Sequence, residues 1–421
     1  MKGPDKQGSE SVSYKILFLC QHFYPESSSS ASLPFDTARW LVQRGYQVDV
    51  LCGMPNEDGV PSGETVDGVH ITRLNYARPP KRSKLGRIFV YFSFVLKVLL
   101  RIKKLERYDV IFVYSNPPVL PAAALLPEKL WGTKVVFICY DVYPEIAVRM
   151  GSISPNGLIS RLMTALNRRL ARKVDAVVAL TEEMRQLLLT RRPGLTGDRV
   201  RTIHNWAHEE TLPENGNAVS VRNQYGIPTQ AFVVSYIGNM GICQDMHTIL
   251  DAAQRLKPDD NIRFLLVGDG VKKPEILRHI QQKSLTNIIL LNTMPPEDCT
   301  RLQRGSDCCI VSLEPGLGGL CAPSKYQSCL YAGKPILMIA DDDFCFCREI
   351  RREQAGIIVR PGSADTLASQ IQKMAADRYL CEYYGRHARA LYDIKYTYTA
   401  AMQLYAELLT KIDEENASCG Y

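Results

Sequence analysis

From Leu313 to Leu337 the chain reads LEPGLGGLCAPSKYQSCLYAGKPIL. Gly316, Gly318 and Gly319 would let a backbone approach a ligand closely, and Ser324 is suited to cap a helix. Lys325 then falls in the first turn of that helix, where a cation opposes the dipole and asks for an anion. Two further loops have the same character. Gly238-Asn239-Met240-Gly241 follows the apolar run VVSYIG, and Gly268-Asp269-Gly270, with Lys272 and Lys273, follows FLLVG. Alone, the first of these reads equally well as a tight strand-to-helix turn, and the two lysines as solvated. Three such loops at one edge point to a diphosphate. Between Pro315 and Ile336 there is no carboxylate, so any acid for sugar or ribose hydroxyls must come from elsewhere. Asp141 and Glu145, in CYDVYPEIAVRMG, stand at the end of a buried strand, either as reacting acids or as caps of the next helix. His22, Tyr24 and Glu26 follow the first strand in CQHFYPESSSSASLP.

These loops need strands to carry them. YKILFLC, QVDVLCG, VHITRLNY, DVIFVYS, KVVFICYD, DAVVALT and RVRTIHN alternate with amphipathic stretches such as LPFDTARWLVQRG. That rhythm predicts an α/β fold with a mostly parallel sheet covered on both faces. After a polar stretch it restarts with AFVVSYIG, IRFLLVGDG, NIILLNT, DCCIVSL, KPILMIA and AGIIVRP. Two successive doubly wound domains follow, with boundaries at 14–205 and 230–395, a linker at 206–229, a polar tail at 1–13 and a helical C-terminal segment at 396–421. Ligands in such folds sit beyond the carboxyl ends of the strands, which is where all three loops fall. No GxGxxG follows the first strand, which weakens a nicotinamide reading.

Composition narrows the choice. The 421 residues carry 46% hydrophobic and 23% charged side chains, an ordinary globular balance. A net charge of +7 without a basic stripe or RNA-binding motif argues against nucleic acid. Thirteen cysteines are scattered without metal-ligand spacing, so no metal is expected; without a secretion signal they read as reduced thiols in a cytoplasmic protein. No apolar run reaches the ~18 residues of a membrane span. Residues 81–107 combine an apolar run with Lys81, Arg82, Lys84, Arg87, Lys97, Arg101, Lys103, Lys104 and Arg107. They read either as a core helix with a solvated basic end or as a surface helix on anionic lipid.

In their order and spacing, FYPE (23–26), RGYQVDVLCGMPN (44–56), SNPPVL (115–120), YDVYPE (140–145), YIGNMG (236–241), LLVGDG (265–270), APSKYQSCLYAGKPIL (322–337) and EIRREQAGIIVRPGSADTLA (349–368) resemble the family 4 glycosyltransferases. These are retaining enzymes of the GT-B fold, and the nearest likeness is to the WbuB-like subgroup that builds cell-surface polysaccharides. The resemblance spans about Lys15 to Leu409. It implies two Rossmann-like domains facing across a cleft, the first for the acceptor and the second for a nucleotide sugar, most often UDP-linked. The final helix would pack back on the first domain. The implied acceptor is a polyprenyl-diphosphate-linked glycan at the inner membrane face, with the protein peripheral there through 81–107, and no metal or cofactor is required.

The resemblance gives Lys325, Asp141 and Glu145 catalytic roles. It gives Gly238, Asn239, Met240, Gly241, Gly268, Gly270, Glu314, Gly318, Gly319, Ser324, Lys325 and Glu349 to the donor, and His22, Tyr24 and Glu26 to the acceptor. Many family members carry two glutamates eight residues apart in the 313–337 loop and helix. Here those positions fall on the stretch Gly318 to Leu320 and on Ser328, and Asn239 stands where an arginine is common. Glu314 and Glu349 are the nearest substitutes. Loss of these carboxylates keeps a catalytically weakened sugar-nucleotide binder, or an epimerase of the same fold, as alternatives.

Overall fold

The computed structural model describes residues 14–56, 59–77, 84–102, 108–209 and 222–418. Its first sheet is built from β1 (Lys15–Leu19), β2 (Gln47–Gly53), β3 (Gly63–Val66), β4 (Val69–Leu74), β5 (Val110–Tyr114), β6 (Lys134–Cys139), β7 (Ala176–Ala179) and β8 (Val200–Thr202). The strands lie in the order β3-β4-β2-β1-β5-β6-β7-β8. β1 pairs in parallel with both β2 and β5, and β2 pairs in parallel with β4. β3 is antiparallel, returning on β4 through Asp67-Gly68, both with positive φ. That hairpin is an addition to the expected parallel pattern.

The second sheet contains β9 (Phe232–Ile237), β10 (Ile262–Val267), β11 (Ile288–Leu291), β12 (Cys308–Ser312), β13 (Ile336–Ile339) and β14 (Gly356–Val359), in the order β11-β10-β9-β12-β13-β14. Its recorded pairings are all parallel. Side chains of a strand alternate between faces, and the burial follows. Phe232, Val234 and Tyr236 of β9 enter one core with Phe264, Leu266, Ile249 and Leu367, while Val233 and Ile237 enter another with Leu265, Val267 and Leu302. Both faces are therefore covered, which is why these strands read as unbroken apolar runs. The expectation of two Rossmann-like α/β sheets is met.

The chain forms two compact units, one of residues 1–138 and 166–177, the other of 139–165 and 178–421. The second unit thus holds the whole β9–β14 sheet together with Asp141, Glu145 and the Glu182–Arg191 helix. Its last helix, Tyr398–Ser418, is tied to the same unit by Lys411, whose Nζ donates to the Asp198 carbonyl at 3.0 Å.

Candidate functional site

From β9 the chain steps outward through β10 and β11, then returns to place β12 on the other side of β9. A parallel sheet opens a crevice where its strand order reverses in this way, beyond the carboxyl ends of the two diverging strands. The loops leaving β9, β10 and β12 are the three glycine-bearing segments.

The first two loops are interlocked. A Cβ on Gly268 would overlap the Gly238 carbonyl oxygen, and one on Gly270 would overlap that of Met240. Both residues also have positive φ, so no other residue type suits either place. The Met240 amide donates to the Asp269 carbonyl at 2.7 Å, and the Lys272 amide donates to the Met240 carbonyl at 3.0 Å. Gly241 closes the first loop by donating its amide to Gln244 Oε1 at 2.9 Å.

Lys325 opens the Lys325–Tyr331 helix and lays its side chain across Gly238, with Cε 3.1 Å from where a Cβ would stand. Only 9% of the residue is exposed. Its Nζ donates to Tyr236 Oη at 2.6 Å and sits 4.1 Å from that ring's centroid. Tyr236 Oη in turn donates to the Asn239 carbonyl at 2.6 Å, so one relay links the lysine to the first loop. Burial lowers the ammonium to about 7, against smaller upward contributions from Cys329 and Cys321. Burial also holds the Tyr236 hydroxyl well above the usual phenol range. Ser324 precedes the helix without capping it, because its backbone is already helical, whereas a capping residue is extended.

The third loop is pinned from outside. The Gly316 amide donates to Asp341 Oδ2 at 2.5 Å, and Arg149 Nε donates to the Pro315 carbonyl at 3.0 Å. Val142 donates its amide to the Leu320 carbonyl at 2.8 Å, and Asp141 forms an antiparallel bridge with Cys321. Asp141 is thereby stitched to the end of the glycine loop, four residues before Lys325. It keeps partial exposure, yet the surrounding protein strips most of its hydration and raises its carboxyl to about 6.

The other expected site residues are placed as follows. Glu314 Oε1 accepts from Lys272 Nζ at 2.6 Å, and the same ammonium donates to the Gln244 carbonyl at 2.6 Å. Lys272 is therefore held among the loops, not solvated as the sequence led us to expect. Lys273 donates to the Gly268 carbonyl at 2.8 Å and to Asn292 Oδ1 at 2.7 Å. Glu349 is 5% exposed. Its carboxylate accepts from Tyr326 at 2.9 Å, Tyr396 at 2.5 Å and Lys395 at 2.5 Å. Burial pushes it up, but the bonds from Lys395, Tyr396 and Tyr326 outweigh that and leave it below the usual range. Gly318 and Gly319 face Glu183. His22, Tyr24 and Glu26 belong to the first unit. There His22 Nδ1 and Glu26 Oε2 are 2.8 Å apart, and the Tyr24 ring stacks on Phe35 at 4.7 Å.

Glu145 is bound by Arg192 in a bidentate pair, Nη1 to Oε1 at 2.6 Å and Nη2 to Oε2 at 2.7 Å, and Nη2 also donates to the Tyr143 carbonyl at 2.8 Å. This orders the strand end that carries Asp141. Replacing Arg192 with Met should destabilise the fold by about 2 kcal/mol, less than a fully buried pair costs when broken, because Glu145 can still reach water. Chemical denaturation with unchanged m-value checks this; an unshifted midpoint would show the pair to be incidental.

Residues 35–206 match the Glycosyl transferase 4-like domain, and residues 220–391 match the Glycosyl transferases group 1 family. A putative colanic acid biosynthesis glycosyl transferase of Escherichia coli K12, WcaI, is 24% identical over 78% of this chain and 83% of its own. A probable glycosyltransferase of Pseudomonas aeruginosa, WbjE, is 26% identical over 69% of this chain and 71% of its own. Among solved structures, Anabaena HepE in complex with UDP-glucose superposes with a TM-score of 0.70 at 17% identity, covering 94% of this chain and 99% of that one.

Proposed function

Since the chain belongs to the family 4 glycosyltransferases of the GT-B fold, we propose that it moves a sugar from a UDP-linked donor to a polyprenyl-diphosphate-linked glycan, with retention at the anomeric carbon, in cell-surface polysaccharide synthesis. The observation that carries this reading is the buried Lys325 among three glycine loops at the strand-order reversal of the second sheet. Departure of a nucleoside diphosphate puts negative charge on phosphate oxygens, and a fixed ammonium stabilises it. The amides of Gly238, Met240, Gly241, Gly268 and Gly270 are already used within the protein, so the loops 238–241 and 268–270 supply room for close approach, and Lys325 the cation. Asp141 serves the acceptor and the carbocation-like sugar from the far end of the 313–324 loop. The test is transfer from UDP-sugars to lipid extract, with the product's anomeric configuration read by NMR. Retention is expected. Inversion would contradict the mechanism, and binding without turnover would leave a sugar-nucleotide binder, the reading favoured by the carboxylate-free stretch from Pro315 to Ile336.

A peripheral place at the membrane accounts for the helix Lys84–Ile102. Phe94, Val95, Val98 and Ile102 are buried, yet Phe89, Phe92, Leu96 and Leu100 are each more than half exposed. Their spacing puts them along one stripe, and Lys97 and Arg101 are exposed beside it. Lys81, Arg82, Lys103, Lys104 and Arg107 lie outside the described residues. No helix among the described residues is long and apolar enough to cross a membrane. An apolar stripe edged with cations instead fits the surface of an anionic bilayer, where each basic residue contributes ~1 kcal/mol. The protein should float with phosphatidylglycerol vesicles at low salt and be partly released at high salt. Phe92→Ser with Leu96→Gln should weaken flotation without unfolding, as should neutralising Lys103, Lys104 and Arg107. Wild-type protein that ignores such vesicles would assign the stripe to another partner and the acceptor to solution.

A further inference from the structure

The glycine loop 316–319 has no carboxylate of its own, but one is brought to it. Glu183 stands in the first turn of the Glu182–Arg191 helix, in the same compact unit. A Cβ on Gly318 would lie 3.2 Å from Glu183 Oε1, 3.6 Å from its carboxyl carbon and 3.9 Å from Oε2. A Cβ on Gly319 would lie 3.2 Å from the Glu183 carbonyl oxygen and 3.3 Å from its Cγ. The two glycines thus make room for this side chain.

Local structure does not account for the placement. Thr181 already caps the helix, accepting from the Met184 amide at 3.1 Å. Glu182 is used by Arg185, Gln186 and Thr202. Glu183 instead turns to the glycine loop. Its Oε2 accepts from the Cys345 amide at 3.2 Å, which fixes the carboxylate's orientation and leaves Oε1 over Gly318. The residue is partly exposed, so a ligand can reach it.

We infer that Glu183 is a donor-sugar-binding residue, whose carboxylate accepts hydroxyl groups of the transferred sugar at the glycine loop. The inference rests on the nucleotide-sugar reading above. A carboxylate delivered from a separate helix is chemically equivalent to one carried by the loop: it accepts two vicinal hydroxyls and opposes positive charge growing at the anomeric carbon. Delivery from outside also suits a glycine at 318, where a Cβ would crowd Oε1 at 3.2 Å; Gly319 is in addition called for by its positive φ.

Glu183→Gln keeps an oxygen for the Cys345 amide while removing the charge, so its melting curve should match wild type. Affinity for UDP alone should also match. Turnover of the UDP-sugar, as kcat/KM, should fall roughly 10- to 100-fold, the range for a hydrogen bond to a charged group. The second arm separates charge from structure. Gly318 does not have positive φ, and the three atoms nearest a Cβ at that position all belong to the Glu183 carboxylate. Glu183→Ala combined with Gly318→Glu should therefore recover at least tenfold over Glu183→Ala, whereas Gly318→Gln in the same background should not. Wild-type kcat/KM in Glu183→Gln, or an equal loss of UDP affinity and turnover, would overturn the inference and leave the nucleotide-sugar reading standing. A wild type inert toward every nucleotide sugar would remove both.

Discussion

Lys325→Met should lower turnover about 100- to 1000-fold, the usual consequence of removing one preorganised contact to developing charge, or roughly 2.7–4 kcal/mol. The same change should raise the melting temperature. Methionine fills the space against Tyr236, and the folded chain no longer has to hold a buried charge. The pH dependence separates the two effects. With the ammonium lowered to about 7, the unfolded chain binds a proton that the folded chain has released between about pH 7 and the ordinary lysine range. Wild-type stability therefore rises across that window, and the advantage of Lys325→Met is widest below pH 7. Activity moves the opposite way, since kcat/KM needs the charged ammonium and should fall above about pH 7. A variant with unchanged donor turnover would remove the diphosphate assignment.

Asp141→Asn should reduce transfer about 100- to 10,000-fold, the range for a positioned acid or base, with UDP affinity nearly unchanged. The carboxyl rises to about 6 because burial favours its neutral form. The acid limb of the kcat/KM profile should then climb through pH 6 as it ionises. Together with the Lys325 limb this predicts a narrow bell near pH 6.5, and Asp141→Asn should flatten its acid side. On stability the sign is also fixed. A raised carboxyl favours the fold below about pH 4 and loses that contribution as pH rises through 6, so the variant should melt higher at neutral pH. Lost UDP binding in a folded Asp141→Asn protein would place the residue on the donor.

The inner strands of the second sheet were legible because they are buried on both faces, so FVVSYI and IRFLLV stand out as apolar runs followed by glycine. The helix expected from about Met246 starts there, capped by Asp245, which accepts from the Thr248 amide at 3.0 Å. The β3–β4 hairpin was missed, although Asp67-Gly68 is the turn signal for it. What the sequence hides is contact between distant segments. Nothing near Lys272 announces Glu314, 42 residues on. Tyr236 reads as one more core residue of β9, and only the fold shows its hydroxyl joining Lys325 to Asn239. By residue type alone Glu183 is an ordinary acid in a helix's first turn, which conceals its approach to Gly318. Glu349 looked available beside a strand end, yet two tyrosines and a lysine converge on it.

The central claim is that Lys325 is the cation that receives the nucleotide's diphosphate. Titrating UDP into the protein at pH 7.5, in two buffers of different ionisation enthalpy, tests it most directly. Wild type should take up a substantial fraction of a proton on binding, because the phosphate oxygens restore the charge that burial has removed from Nζ. Lys325→Met should bind more weakly and take up correspondingly less. Equal affinity and equal proton exchange in the two proteins would contradict the account.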